Sequence, residues 1–243
     1  MNHPSRRLAR AIIPLAMRRW VARLRTIRRP VELLGRWAVG GWHASISPGA
    51  SARLWRHVHL ERAVIVESGT HFHTNDDGEG VRIRIGEGSF IGRQCFLSSG
   101  SSITIEREVN VGAGSHLLAA GHVYADPTVP YVTAPVVSYG DMRVGPNVWI
   151  GVGSTLIGGI EIGFGTVLAA GSLVRQSLPP LCLAAGRPAR MLKVYDWHQK
   201  TWLRLPEDGA LRDAAVARHL ETIPCEADYL RLLAQPQTDL SQP

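Results

Sequence analysis

From Val144 the chain reads V-G-P-N-V-W, I-G-V-G-S-T, L-I-G-G-I-E, I-G-F-G-T-V and L-A-A-G-S-L, and Val174 opens a further unit of six. An aliphatic residue stands first in every unit. The fifth place holds Val148, Ser154, Ile160, Thr166 and Ser172, each small or β-branched. The same template fits upstream, with I-G-E-G-S-F from Ile85, I-G-R-Q-C-F from Ile91, L-S-S-G-S-S from Leu97, I-E-R-E-V-N from Ile105 and V-G-A-G-S-H from Val111. A short fixed period marks a chain in which each unit buries its apolar face only against its neighbours. A period of six specifies short strands joined by tight corners. First-place aliphatics point into a triangular prism, three units complete one coil, and the small fifth residue lets the corner close. Glycines at the second and fourth places supply backbone conformations that residues with a Cβ resist.

The expected fold class is an all-β solenoid, a left-handed parallel β-helix over residues 44–193. Two breaks interrupt the period: a two-residue slip at Ile103 and Thr104, and an excursion over 123–143 containing Pro127, Pro130 and Pro135. Structureless connections of about twenty residues are uncommon inside a regular scaffold, which makes the excursion a functional candidate. In segment 1–43, Ile13, Met17, Trp20, Leu24 and Ile27 fall on one stripe of a helix surrounded by arginines, and Pro30 ends it. That helix either packs on the main domain or lies as a basic amphipathic helix on an anionic membrane surface. Segment 194–243 loses the period. It reads as an aromatic stretch from Tyr195, helices near 208–220 and 226–233, and a polar tail, elements suited to capping the open last coil.

A chain of 243 residues, 45% hydrophobic, suits one sizeable domain with terminal elements. The formal charge of +7 is misleading, because residues 1–30 hold nine Arg and no acid, leaving 18 basic against 20 acidic side chains elsewhere. A nearly neutral body lacks the basic face that nucleic acid requires, so none is expected as a partner. Cys95, Cys182 and Cys225 lie far apart, which indicates neither a zinc site nor a disulfide framework and fits a reducing compartment. The apolar run Ala11 to Met17 is broken by Pro14 and followed by Arg18 and Arg19. It is too short for a signal-peptide core and far short of the roughly 20 residues of a membrane span. The expected location is cytoplasmic, peripheral at the inner membrane surface if the first helix binds lipid.

Three segments carry a family resemblance: N-V-W-I-G at Asn147 to Gly151, P-P-x-x-x-A-A-G-x-P-A-R from Pro179 to Arg190, and Y-D-x-x-x-x-T-W from Tyr195. With them, residues 80–203 resemble the hexapeptide-repeat O-acetyltransferases, in the branch of the maltose, galactoside, nodulation-factor and exopolysaccharide enzymes. The resemblance implies a homotrimer with active sites in grooves between prisms, acetyl-CoA as co-substrate running parallel to the coil axis, a carbohydrate acceptor, and no metal. It also implies a catalytic histidine in or beside the projecting loop, a position that His122 in A-G-H-V-Y-A-D matches. By position, Gly151, Val152, Ala170, Arg175, Arg190 and Lys193 match the family's CoA contacts, while Arg187 stands where the family commonly has Asn. The link from Pro135 to Val144 is several residues longer than the usual one.

The chemistry asks for little more. Acetyl transfer from a thioester to a hydroxyl needs a base near pH 7 and donors for the tetrahedral oxyanion. Counting from Leu117, His122 occupies a sixth place, so its side chain leaves the prism. Its second ring nitrogen needs an acceptor, either Asp126 or a backbone carbonyl. A backbone NH beside Gly151 is one oxyanion donor to consider. Trp149, at an outward sixth place, suits the pantetheine or acceptor channel, or packing on a neighbour. His71 and His73 near Asp76 and Asp77 form a paper metal cluster that is more often solvated turn. Two other functions remain open: a gamma-carbonic-anhydrase-like metal lyase using His116 and His122 with a third ligand such as His73 from another chain, and a catalytically silent scaffold. Bound zinc would favour the first, and failure to bind CoA the second.

Overall fold

The first-place aliphatics set the architecture. Val144, Ile150, Leu156, Ile162, Leu168 and Val174, with Ile85, Ile91, Leu97, Ile105, Val111 and Leu117 before them, are at most 2% exposed and belong to one continuous core. Each such burial contributes about 1.5–3 kcal/mol, so stacking aliphatic over aliphatic holds successive turns in phase. The computed structural model describes residues 43–74 and 79–234. The expected amphipathic helix over residues 1–30, together with Asp76 and Asp77, lies outside them.

The chain visits three parallel sheets in rotation. Face one runs through Ser45–Ile46, Ile65–Val66, Phe90–Ile91, Asn110–Val111, Trp149–Ile150, Val167–Leu168 and Cys182–Gly186. Face two runs through Ser51–Ala52, His71–Thr74, Phe96–Ser99, His116–Leu118, Thr155–Ile157 and Leu173–Val174. Face three runs through Val58–Leu60, Ile83–Ile85, Ile103–Ile105, Met142–Val144 and Glu161–Ile162. Each of the first five turns adds one strand to every face, in register and parallel.

The two glycine places serve different ends. Most fourth-place residues take the left-handed conformation, as at Gly153 (φ 68°) and Asn147 (φ 54°), which turns the corner. Second-place glycines instead permit close approach: a Cβ on Gly151 would stand 2.4 Å from the Ala170 backbone nitrogen of the next turn. Fifth-place hydroxyls point inward and bond the next turn's carbonyls, Ser89 to Glu106 at 2.8 Å and Thr166 to Pro179 at 2.9 Å. Polar groups buried at the corners are thereby satisfied.

After Gly186 the chain does not dissolve into irregular structure. Ala189–Asp196 pairs antiparallel with Cys182–Gly186, and Thr201–Arg204 pairs with it in turn, extending face one by two strands. Helix α1, Gly209–Thr222, is N-capped by Asp208, whose Oδ1 accepts from Leu211 N at 2.9 Å. Helix α2 is Glu226–Leu233. Its Tyr229 packs on Phe164 with ring centroids 4.7 Å apart. Buried His219 of α1 bonds the Pro180 carbonyl at 2.8 Å, so both helices close over the last turns. Cys95 and Cys182 are free and buried, and burial pushes the Cys182 thiol up to about 11.

Candidate active site

The excursion leaves the coil where face two ends. Past His116–Leu118 the chain forms a strand over Ala120–His122, which pairs antiparallel with Val136–Ser138 and places His122 opposite Val136. The hairpin is fastened to the coil by Tyr139 N donating to Ala119 O at 2.8 Å and by the Ser101 and Ser138 hydroxyls at 2.9 Å. Val123 N to Pro135 O at 3.0 Å extends the pairing one step past His122.

His122 is exposed, and its Nδ1 lies 2.9 Å from the Ala134 carbonyl oxygen. A carbonyl only accepts, so Nδ1 carries the hydrogen and the neutral ring keeps its lone pair on Nε2. Of the two acceptors left open by the sequence, the backbone carbonyl fills this place. Asp126 is corrected in that role: its Oδ1 accepts from Thr128 N at 2.9 Å and Thr128 Oγ1 at 2.7 Å, closing a turn of its own. Those bonds hold the Asp126 carboxyl below the usual range.

A groove of about 650 Å³ opens beneath Leu173–Val174, the last strand of face two. Arg175 and Arg190 both line it, with Gln176, Ser177, Pro188 and Met191. Its size suits an extended ligand, and the two guanidiniums suit phosphate. Arg175 follows Val174 at the same edge of face two from which the hairpin departs after Leu118. Two strand spacings, roughly 10 Å, separate the levels of the hairpin and the groove along the coil.

The remaining candidates are distributed more widely. Gly151, Val152 and Ala170 stack at the opposite edge of face two, where Gly171 N donates to Val152 O at 2.8 Å. The Gly151 NH is itself engaged, donating to Leu168 O at 2.8 Å, so it is not free for an oxyanion. Trp149 projects from face one, 55% exposed, between Asn110 and Val167. Exposed Lys193 sits opposite Leu183 and Arg204, outside the Arg175–Arg190 groove.

Residues 82–119 and 142–176 match the family described as hexapeptide repeat of succinyl-transferase. These two segments are hexapeptide repeats. The hexapeptide turns are also where known proteins align. A curated protein of Schizosaccharomyces pombe named as an acetyltransferase is 30% identical over 115 residues, 47% of this chain and 54% of its own. One of Staphylococcus aureus, similarly named, is 28% identical over 123 residues, 50% of this chain and 59% of its own. The chain thus spans a little over half the length of these relatives. Among solved structures, a variant of AntD, an N-acyltransferase from Bacillus cereus in complex with dTDP and coenzyme A, superposes with a TM-score of 0.54. It is 19% identical, covering 77% of this chain and 95% of that one, and the likeness is one of fold.

Among the described residues of one chain, no three His, Cys, Asp or Glu side chains stand as metal ligands. Nor is any described helix long and apolar enough to cross a membrane. Sequence reasoning did not find Ala134 as the group that orients His122, because a backbone carbonyl leaves no side-chain signal. It also passed over Gln176, Ser177 and Met191 in the groove, which lie past the last clear hexapeptide.

Proposed function

We propose that this chain is an acyl-CoA-dependent O-acetyltransferase that moves the acetyl group of acetyl-CoA to a hydroxyl of a sugar or polysaccharide precursor. It would do so on a left-handed hexapeptide solenoid assembled as a homotrimer. The observation that carries the reading is the hydrogen bond between His122 Nδ1 and the Ala134 carbonyl. Nδ1 is tied to Ala134 and Nε2 is presented from a hairpin that leaves the same edge of face two as the arginine-lined groove. Acetyltransferase names among the relatives support it.

In this scheme Nε2 takes the proton of the acceptor hydroxyl as its oxygen attacks the thioester carbonyl. The tetrahedral adduct collapses, the carbon–sulfur bond breaks, and the imidazolium returns the proton to the leaving thiolate. The Nδ1–Ala134 bond steadies the ring throughout. Arg175 and Arg190 take CoA phosphates, and Lys193 adds a cation nearby. Gly151, Val152, Ala170 and Trp149 would border the pantetheine path. Residues 1–30 would contribute attraction to anionic lipid.

The test compares two histidines. His122→Ala should lower acetyl transfer, read as thiol release, by roughly 10²- to 10⁴-fold, the usual contribution of a general base. CoA affinity by titration should hardly move, and His116→Ala, one hexapeptide earlier, should cost far less. Unchanged turnover in His122→Ala, with CoA binding intact, removes the mechanism.

A further inference from the structure

The loop rooted at His122 is almost uncharged and carries bulky apolar side chains into solvent. From Pro127 to Gly140, fourteen residues pass without a charged side chain, and Asp126 is the only acid or base between Val123 and Gly140. The stretch nevertheless faces water: Val132 is 89% exposed, Tyr124 76% and Tyr131 52%. Solvent-facing positions on face three and its corners are filled very differently, with ion pairs such as Arg62 to Glu87, Arg84 to Glu61 and Arg107 to Glu87. Grouped exposed apolar side chains mark a contact surface.

The tip is also preformed. Pro127, Pro130 and Pro135 restrict its backbone, and Thr133 N donates to Pro130 O at 2.9 Å across the turn Tyr131–Thr133. This shape presents Tyr131 and Val132 outward. Tyrosine with aliphatic neighbours and no charge is the composition that settles at a lipid–water boundary, phenol at the headgroups and valine below. The chain supplies the matching charge itself, since residues 1–30 hold nine Arg and no acid, and basic side chains draw a protein to anionic headgroups.

We propose that the loop over residues 123–140 docks on an anionic lipid bilayer, so that His122 meets a hydroxyl acceptor held at the bilayer surface by a lipid or alkyl tail. The acceptor half rests on His122 being the base; the docking half does not.

The full chain is tested by co-sedimentation with phosphatidylcholine vesicles containing phosphatidylglycerol. Val132→Asp should weaken binding roughly tenfold or more, because a carboxylate must be carried into the headgroup layer. Val81→Asp, at an exposed valine outside the loop, should leave binding as it is. His122→Ala should bind vesicles like the parent chain, which separates docking from catalysis. Equal binding by the parent and Val132→Asp overturns the proposal. So does loss of the oligomer by light scattering in Val132→Asp, which would assign the loop to a contact between copies. Vesicle binding lost with oligomer and CoA affinity retained supports it. For the acceptor half, thiol release should be faster with a vesicle-bound dodecyl glycoside than with the methyl glycoside at equal concentration, and the reverse order overturns that half.

Discussion

His71 stacks on Phe96 with ring centroids 5.8 Å apart and planes 10° apart, and its Nδ1 meets Ser51 Oγ at 2.9 Å. Burial lowers its pKa. His73, on the same outward side of face two, is lowered by burial first and then by the charges of Arg53 and His71. Both rings are therefore harder to protonate in the folded chain than in the unfolded one, whose histidines titrate near 6.5. Below that value the unfolded state binds more protons, so the stability these rings contribute is complete above about 6.5 and is lost as pH falls toward their folded pKa values. The melting temperature should accordingly fall as pH drops from about 7.5 to 5.5, a window that straddles the unfolded pKa. Replacing both residues, His71→Gln with His73→Gln, should flatten that fall. An unchanged slope in the double variant would assign it to other groups. Asp126 shows the opposite case: Thr128 keeps its carboxyl ionised within a local turn, so it stands as turn chemistry rather than as a relay for His122.

Between elements, Arg143 forms a three-way polar junction. Its Nε reaches Glu106 at 3.1 Å, one terminal nitrogen reaches Glu161 at 2.8 Å, and the other reaches Glu226 at 2.6 Å. Burial alone would lower the guanidinium pKa, but bonds from Glu226 and Glu161 and the nearby charges of Glu226 and Glu106 hold it above its ordinary value. The arginine thus joins three successive turns of face three to helix α2. An exposed pair is worth only about 0.2–1 kcal/mol, yet removing the shared cation strands three carboxylates together. Arg143→Ala should lower stability by about 1–3 kcal/mol, within the cost of unpaired polar groups. Hydrogen exchange should quicken across Glu226–Leu233 more than in Leu117 or Leu156. Uniform quickening would mean that the junction does not hold α2 in particular. None of this was legible in the sequence, because Arg143 and Glu226 stand 83 residues apart and neither belongs to a period. The hexad phase was legible because the same side-chain classes recur at the same place, and the buried sets at Val144, Ile150, Leu156, Ile162 and Leu168 follow it. The outward exit of His122 follows from the same count. Its pairing with Val136 does not, since that pairing rests on backbone bonds across a thirteen-residue connection. The strands Ala189–Asp196 and Thr201–Arg204 escaped for a related reason: antiparallel pairing with Cys182–Gly186 needs no hexad.

At the scale of the molecule, the described residues of one chain leave the proposed site open. His122 is exposed, and its one hydrogen bond among the described residues goes back to its own hairpin. None of the described residues walls off Nε2 from water, whereas acyl transfer to a hydroxyl gains from excluding water as the competing nucleophile. Apolar side chains also stand outward, Trp149 at 55% and Ile65 at 41% on face one and Val152 at 59% at a corner, more than a lone prism needs to present to solvent. Closed cyclic assembly answers both features, because each subunit can supply a wall to the next and the last contact meets the first. Threefold closure suits a three-sided prism. Light scattering at micromolar concentration should therefore give a mass three times that of one chain. Diluting the protein until that mass falls should reduce specific activity in step, since a site completed by a neighbour is lost when the neighbour leaves. A monomer at micromolar concentration would refute the assembly. A trimer that dissociates with full activity would keep the assembly but place the whole site within one chain.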